Sequence, residues 1–220
     1  MGFFWAILIS CAPLACYFAV LRYSTRKWEQ NRADTVYKVA ASMGMEYSPS
    51  GEWFREQLAS FDLIKSERES EITNVVYGET EECRISIFDF NFVRGTGEYR
   101  MIIRLTAVAV ESPRLMIPDF RLRPLDFLER CTGLKARSGI SFADNLPFSK
   151  KFLVEGTDEV KIRKLFDRPL QEAFLERTGY CVEALPGLIV YYNPGFLCKA
   201  EKYPSLIEDA YQFFGMMVDR

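Results

Sequence analysis

The sequence predicts an α+β domain, in which an antiparallel sheet of hairpins or a meander is flanked by helices, behind a single amino-terminal transmembrane helix. Two observations lead to this prediction. Three stretches rich in β-branched and aromatic residues follow one another between residues 72 and 110, with turn-like segments between them. Before them, residues 2–21 contain no charged side chain. We therefore divide the chain into residues 1–23, a transmembrane helix followed by a basic collar, and residues 24–220, the α+β domain.

The composition excludes several functional classes. The chain has 220 residues, of which 15% are aromatic and none is histidine. So many aromatic residues are not typical of a disordered chain. The lack of histidine removes Ser-His-Asp and Cys-His catalysis and histidine-ligated zinc. We expect no cofactor and no metal site, and we favour a non-enzymatic protein while leaving the question of an enzyme open.

The apolar segment at residues 2–21 is long enough to cross a bilayer. As a helix that rises about 1.5 Å per residue, it spans roughly 30 Å, which is the thickness of a hydrocarbon core. A cleavable signal peptide is an alternative, which the absence of basic residues before Arg22 disfavours. A lipoprotein is another, since residues 8–11 resemble a lipobox, but the chain stays apolar after Cys11.

The basic collar consists of Arg22, Arg26 and Lys27. It gives residues 1–27 a charge of +3. Because the net charge of the whole chain is −2, the remaining residues carry a charge of −5. Under the positive-inside rule, the collar predicts a single-pass protein of the cell membrane whose carboxy-terminal domain is cytoplasmic. The three side chains are candidates for contact with lipid headgroups, or only a topology signal. The expected partners are the lipid bilayer through residues 2–21 and a membrane or membrane-proximal protein, and no nucleic acid.

Apolar residues at helical spacing predict a helix over residues 24–45, which either follows the membrane helix or continues it. The run Ser-Pro-Ser-Gly at 48–51 ends it, and a short helix with Trp53, Phe54 and Leu58 on one side comes next. The four cysteines beyond the apolar segment show no C-x-x-C spacing, so we expect them to be reduced and mostly buried.

The strands predicted at 72–77, 83–92 and 98–110 place a phenylalanine face opposite a polar face. Phe88, Phe90 and Phe92 alternate with Asp89 and Asn91. A hairpin that pairs Phe92 with Tyr99 sets Asn91 opposite Arg100 and brings Asp89 diagonal to Arg100 and Arg104. The phenylalanine face is then predicted to be core.

Beyond residue 110 the pattern predicts short alternating elements. The evidence for them is a pair of prolines around an extended segment, acidic residues in first helical turns, a Pro-Gly turn and a capping box. In chain order they are an extended segment at 114–122, a helix at 125–131, a strand at 152–155, a helix from Thr157, a helix at 168–177, a hairpin of 180–185 and 188–192, and a last helix from Ser205.

The polar group of Asp89, Asn91, Arg100 and Arg104 is the best candidate for a ligand-binding site. One interpretation is that it binds an anion or holds a carboxylate in an altered ionisation state. The other is a solvated sheet face whose cross-strand ion pairs each contribute a few tenths of a kcal/mol. No residue is proposed as catalytic.

The run Phe-Ser-Lys-Lys-Phe-Leu-Val at 148–154, followed by Asp158 and by Arg-Lys-Leu-Phe at 163–166, resembles the carboxy-terminal part of an uncharacterised bacterial family of membrane-anchored domains of unknown function. Residues 74–78 and 87–90 are also similar to such proteins. The resemblance extends over about residues 70–192. It implies a hydrophobic anchor, a β-rich middle and an F-x-K-x-F-x-V strand, and it implies no catalytic residue.

These patterns together predict a membrane-anchored cytoplasmic domain that acts as a non-enzymatic protein-interaction or scaffold module. The alternative is a small-ligand-binding or enzymatic domain that uses the sheet face of Asp89, Arg100 and Arg104. A concave site where these side chains converge would favour the alternative.

Overall fold

The computed structural model describes residues 2–65, 69–95, 99–125, 139–177 and 179–218, and it describes residues 2–16 and 18 by their backbone alone. The helices are α1 (Gly2–Ser42), α2 (Glu52–Leu58), α3 (Asp62–Lys65), α4 (Leu146–Lys151), α5 (Glu159–Leu165), α6 (Arg168–Glu176) and α7 (Tyr203–Met217), the last preceded by a 3-10 turn at Ala200–Lys202. The strands are β1 (Glu46–Ser50), β2 (Ser70–Glu79), β3 (Arg84–Arg94), β4 (Met101–Glu111), β5 (Phe120–Pro124), β6 (Phe152–Gly156), β7 (Cys181–Leu185) and β8 (Leu188–Tyr192).

Within the described ranges, the strands form one eight-stranded sheet in the order β1-β2-β3-β4-β8-β7-β5-β6. Each pairing in this sheet is antiparallel. The first four strands form a meander, and the β7–β8 hairpin joins it to β5 and β6. The prediction of an α+β fold with an antiparallel sheet and flanking helices is therefore confirmed.

Both faces of the sheet are covered by apolar side chains. On one face, residues of α1 and of α4 to α7 pack with strand residues such as Ile87 and Val108 in the larger core. On the other, Phe54 and Leu58 of α2 pack with Phe88 and with its neighbours on β3 and β4. The predicted phenylalanine face is indeed core, since Phe88, Phe90 and Phe92 all belong to this second cluster.

Helix α1 does not behave as a separate membrane element. It is one helix of 41 residues, its second half carries charged side chains, and Val36 and Ala40 of that half are buried against the sheet. Among the residues that the structure describes, no helix is both long enough and apolar enough to cross a bilayer. The predicted transmembrane helix over residues 2–21 is therefore wrong, and so is the prediction of a single-pass protein of the cell membrane with a cytoplasmic domain.

The register of the β3–β4 hairpin also differs from the prediction. Phe92 pairs with Ile103 instead of Tyr99, and Asn91 pairs with Arg104 instead of Arg100. The partner of each of these β3 residues therefore lies four residues further along β4 than predicted. Because the shift is an even number of residues, the phenylalanine and polar faces keep their sides.

Other elements agree in position with their predictions to different degrees. The β7–β8 hairpin and helix α6 lie where the sequence predicts them. Strand β1 and helix α4 were not predicted, and α4 replaces the first half of the expected F-x-K-x-F-x-V strand. The helix predicted at 125–131 lies outside the described residues, apart from Leu125.

Candidate functional site

The site is built around Asp89, which lies in the middle of β3 and is only 2% exposed. Arg32 of α1 binds its carboxylate in a bidentate manner, with Nε donating to Oδ2 at 2.9 Å and Nη2 donating to Oδ1 at 2.8 Å. Two parallel charge-assisted hydrogen bonds of this kind are among the strongest polar contacts in proteins. They hold α1 against β3, one of the two inner strands of the four-stranded meander.

Three further side chains donate to the same carboxylate. Thr106, which faces Asp89 across the β3–β4 ladder, donates to Oδ1 at 2.9 Å. Tyr203, at the start of α7, reaches Oδ1 at 3.4 Å. Asn74 donates to Oδ2 at 3.0 Å. Both oxygens of Asp89 are thus fully engaged, and the carboxylate itself has no lone pair left for a ligand.

Asn74 reaches Asp89 because the backbone of β2 is irregular there. The β2–β3 register shifts between Thr73 and Val76, and Asn74 adopts a φ of 51° in the left-handed region. Asparagine tolerates this conformation better than most residues, but it still costs free energy. The Asn74 side chain recovers part of that cost, since its Oδ1 also accepts a hydrogen bond from Tyr47 at 3.0 Å.

The ionisation of the cluster follows from its burial and its charges. Burial alone lowers the pKa of Arg32, but the hydrogen bond and the charge of Asp89 outweigh it, so that the pKa of the guanidinium is raised. Burial, followed by the charge of Asp89, raises the pKa of Tyr203. Arg32 is therefore a permanent cation paired with Asp89, and Tyr203 is a neutral donor.

A cavity of about 290 Å³ lies beside this cluster, between α1 and the sheet. Three of the four predicted ligand-binding residues, Asp89, Asn91 and Arg104, line it together with Arg32. Asn91 and Arg104 face each other as ladder partners, and Asn91 donates to Thr73 at 3.2 Å. The guanidinium of Arg104 lies 5.0 Å from the ring centre of Trp28, within the range of a cation–π contact.

The fourth predicted residue, Arg100, does not belong to this site. It is exposed at the β3–β4 loop, where it pairs with Glu69. The four-residue shift in register is the reason, because it places Arg104 where Arg100 was expected. The basic collar of Arg22, Arg26 and Lys27 is exposed on α1, and its role at a membrane surface stays an untested prediction.

Sequence reasoning missed Arg32, Thr106 and Tyr203. A signal for Arg32 was present, because it lies four residues before Val36 and eight before Ala40, on the helix face that is buried. A lone arginine on an apolar helical stripe requires a buried acidic partner. Asp89 was then the natural candidate.

A second buried carboxylate, Glu183 on β7, has a structural role. Its oxygens accept hydrogen bonds from the backbone N–H groups of Asp62 at 2.6 Å and Leu63 at 3.2 Å, at the start of α3. The hydroxyl of Tyr192 donates to it at 2.7 Å. These contacts hold α3 against the sheet and leave the carboxylate saturated.

The structure offers little support for metal or thiol chemistry. No group of three or more Cys, Asp or Glu side chains within the described ranges is placed to hold a metal ion. Cys83, Cys181 and Cys198 are free and buried. Burial raises the pKa of the Cys181 thiol to about 12, which keeps it protonated and unreactive.

Comparisons with known proteins found a similarity in structure but none in sequence. No family model matches the chain, and no curated protein sequence matches it. Its structure is similar to the crystal structure of the mycobacterial trehalose monomycolate transport factor A, TtfA, with a TM-score of 0.58. The two proteins share a fold. Their sequences are 13% identical over 84% of this chain and 93% of that chain, so the similarity extends to the architecture alone. The family that the sequence resembles stays unidentified.

Proposed function

We propose that this protein is a non-enzymatic accessory module that binds a protein partner at the end of the molecule where α1 extends beyond the sheet. The observation that carries the proposal is a group of exposed apolar side chains at that end. They belong to two elements that are far apart in sequence, α1 and the β3–β4 hairpin.

The direction of α1 brings these elements together. Arg32 contacts Asp89, and one turn earlier Glu29 lies 3.7 Å from Arg104, which is nearer the tip of the hairpin. The helix therefore runs toward the tip as its residue numbers decrease. Residues 17–28 add roughly 18 Å of helix in that direction, at about 1.5 Å per residue.

Both elements present apolar surface there. On the hairpin, Tyr99 is 89% exposed, and Met101 and Ile102 are more than half exposed. On α1, Val20 and Tyr23 are also more than half exposed. Isolated apolar residues on a surface need no explanation, but a group of them at one end is typical of a protein interface. Aromatic residues and methionine are enriched in such interfaces.

Two further observations support a non-enzymatic role. The carboxylates buried at Asp89 and Glu183 are saturated by structural hydrogen bonds, so neither is poised as a general acid or base. The structurally similar protein TtfA is by name a transport factor, and a transport factor is more readily an accessory protein than an enzyme.

Site-specific photo-crosslinking in the native cell tests the proposal. A photoreactive amino acid replaces Tyr99 in one variant and Val20 in another, and it replaces the exposed Val160 of α5 in the control. We expect Tyr99 and Val20 to give an adduct with the same protein, and Val160 to give none with it. The additional substitution Met101→Asp should abolish the adduct from Val20 while thermal unfolding of the protein is unchanged.

Two results would overturn the proposed interface. One is the absence of a common adduct from Tyr99 and Val20. The other is an equally strong adduct from Val160, because a partner captured from every exposed position reports only abundance.

A further inference from the structure

The part of α1 that extends beyond the sheet is basic. Residues 17–28 of this helix include the basic collar and no acidic residue, and the three side chains of the collar are exposed. They give this segment a charge of +3, whereas the chain after Lys27 carries −5. The exposed apolar side chains of the proposed interface thus lie beside a segment whose charge is opposite in sign to that of the rest of the chain.

The basic collar is not neutralised within the described part of the protein. No carboxylate there forms an ion pair or a hydrogen bond with Arg22, Arg26 or Lys27. The first acidic residue that follows on α1, Glu29, has its Oε1 atom 3.7 Å from Nη2 of Arg104 instead. An exposed cation in water needs no partner, so the collar on its own indicates no binding site. Its place beside exposed apolar surface is what matters, because protein interfaces have an apolar centre and a polar rim.

The β3–β4 hairpin supplies the apolar part of this end. Its exposed apolar side chains flank Arg100 in the sequence, and Arg100 is paired with Glu69. Residues 94–102 contain one further arginine and one acidic residue. The hairpin therefore adds apolar contact area but little net charge, and the net positive charge comes from the collar.

We propose that the partner bound at this end presents an acidic surface, on which carboxylates face the basic collar and apolar residues cover the hairpin side chains. The acidity of the partner rests on the proposed function, because it concerns the same partner at the same site. Opposite charges on two proteins raise their rate of association and disfavour partners of the wrong charge. A basic partner would instead meet three like charges.

A protein fits the arrangement of the collar better than a lipid surface does. At about 3.6 residues per turn, Arg22 and Lys27 lie about 140° apart around the axis of α1. A bilayer surface that lies along a helix contacts one face of it, whereas a protein partner can contact the helix on both sides. The aromatic and methionine side chains of the hairpin are also of the types enriched in protein interfaces.

Charge variants of the full-length protein test for an acidic partner in the native cell. The photoreactive amino acid replaces Tyr99, and the collar variant has all three residues of the basic collar replaced by glutamine. The control variant removes the same charge from exposed positions of α4 and α5, with Lys150→Gln, Lys151→Gln and Lys164→Gln. We expect the collar variant to lower the yield of the adduct at least about fivefold, and the control variant to change it by less than about twofold. Thermal unfolding of both variants should match that of the wild-type protein, because the substituted side chains are exposed.

A binding measurement in solution tests the charge of the partner surface independently. The protein in the Tyr99 adduct is identified by mass spectrometry and purified, and its association with the full-length protein is followed at low and high NaCl concentration. We expect the association rate constant to fall at least about tenfold between about 0.05 M and about 0.5 M NaCl, because salt screens the attraction. The collar variant should lose most of this dependence. The partner peptide that carries the adduct should lie beside Asp and Glu residues.

Different results would overturn the acidic partner and the proposed interface. If Tyr99 and Val20 share no adduct, the interface itself is absent and both proposals are wrong. If they share one, but its yield and the salt dependence of binding are equal in the collar variant and the wild-type protein, the interface stands and the partner surface is not acidic.

Two other occupants of this end give results of their own. An adduct of twice the mass of this chain would assign the end to a second copy of the protein. Collar-dependent sedimentation with vesicles of phosphatidylglycerol and phosphatidylcholine, without any effect of the collar on the protein adduct, would assign the collar to lipid headgroups. Either result would overturn the acidic protein partner.

Discussion

At the scale of single residues, the Asp89 carboxylate is the polar group most dependent on its neighbours. Removing a charge from water costs several kcal/mol, and this cost is offset here by Arg32, Thr106, Asn74 and Tyr203 together. Since Arg32 supplies the only formal positive charge among these four donors, its loss leaves a buried and uncompensated anion.

We predict that Arg32→Ala lowers the free energy of unfolding by about 3–5 kcal/mol, the usual effect of breaking a buried ion pair. Urea denaturation at neutral pH measures it. The double variant Arg32→Met with Asp89→Leu should be less destabilised than Arg32→Ala, because no charge is left unpaired. Arg100→Ala is the control and should change stability by less than about 0.5 kcal/mol, since its pair with Glu69 is exposed. A loss of similar size in Arg32→Ala and Arg100→Ala would contradict the structural role of the buried pair.

Of the five side chains in this cluster, sequence reasoning identified Asp89 and came within one register error of Thr106. Asp89 stood out because it interrupts a run of phenylalanines, and its partner Thr106 is a ladder neighbour that a correct register would have supplied. Arg32 and Tyr203 lie 57 and 114 residues away from Asp89. Their contacts depend on where α1 and α7 pack, and the periodicity of a single strand contains no information about that.

At the scale of elements, the turn from β6 into α5 depends on close packing at Gly156. A Cβ atom at this position would lie 2.5 Å from the backbone oxygen of Asp119 and 3.2 Å from the Cα of Phe120, and would also overlap the Cδ1 of Ile162. The atoms of Asp119 and Phe120 that this Cβ atom would meet belong to the backbone. They cannot move aside without breaking the pairing of β5 with β6. Gly156 is therefore required by the lack of space.

We predict that Gly156→Ala destabilises the protein by about 1–3 kcal/mol, in the range of overpacked sites. Gly215→Ala is the matched control, since a Cβ atom there meets nothing within 4 Å and the residue lies in helix α7. It should stabilise the protein by about 0.5–1 kcal/mol through helix propensity. Thermal unfolding of both variants measures the difference. A stabilised Gly156→Ala would show that β5 and β6 are more loosely packed than described.

The element scale also shows where prediction from sequence succeeds and where it does not. The β7–β8 hairpin was located correctly, because its Pro-Gly turn leaves little choice of register and Gly187 has a φ of 86°. The β3–β4 register was displaced by four residues, because a loop of several residues does not fix the pairing by itself. Strand β1 was missed because Pro49 suggested a helix end, whereas proline is tolerated on an edge strand such as β1.

At the scale of the whole molecule, the antiparallel sheet is buried on both faces. Leu105 to Val110 of β4 are all buried, which is a continuous pattern and not the alternating one of a half-exposed sheet. This arrangement explains why the sheet order was not predictable. The pairing of β4 with β8 joins segments about 80 residues apart, and continuous apolar strands fit many partners equally well.

The burial on both faces also places weakly acidic groups deep in the molecule. Burial raises the pKa of the Cys181 thiol from its ordinary 9.0 to about 12, and burial likewise raises the pKa of Tyr191, Tyr192 and Tyr203 above the ordinary 10.0. In the unfolded chain these groups lose their protons near their ordinary pKa values. Above about pH 9 the folded state therefore binds more protons than the unfolded state.

We predict that stability does not depend on these groups below about pH 9 and falls steadily above it, by up to about 1.4 kcal/mol per pH unit for each such group. The midpoint urea concentration of unfolding, measured from about pH 7 to about pH 11, tests this dependence of stability on pH. Tyr191→Phe should flatten the alkaline decline, because it removes one such group whose hydroxyl has no hydrogen-bond partner in the described structure. Tyr99→Phe, at a position that is 89% exposed, should leave the decline unchanged. A midpoint that stays constant up to about pH 11, or an equal effect of the two substitutions, would mean that these tyrosines and Cys181 are not buried in solution as they are in this fold.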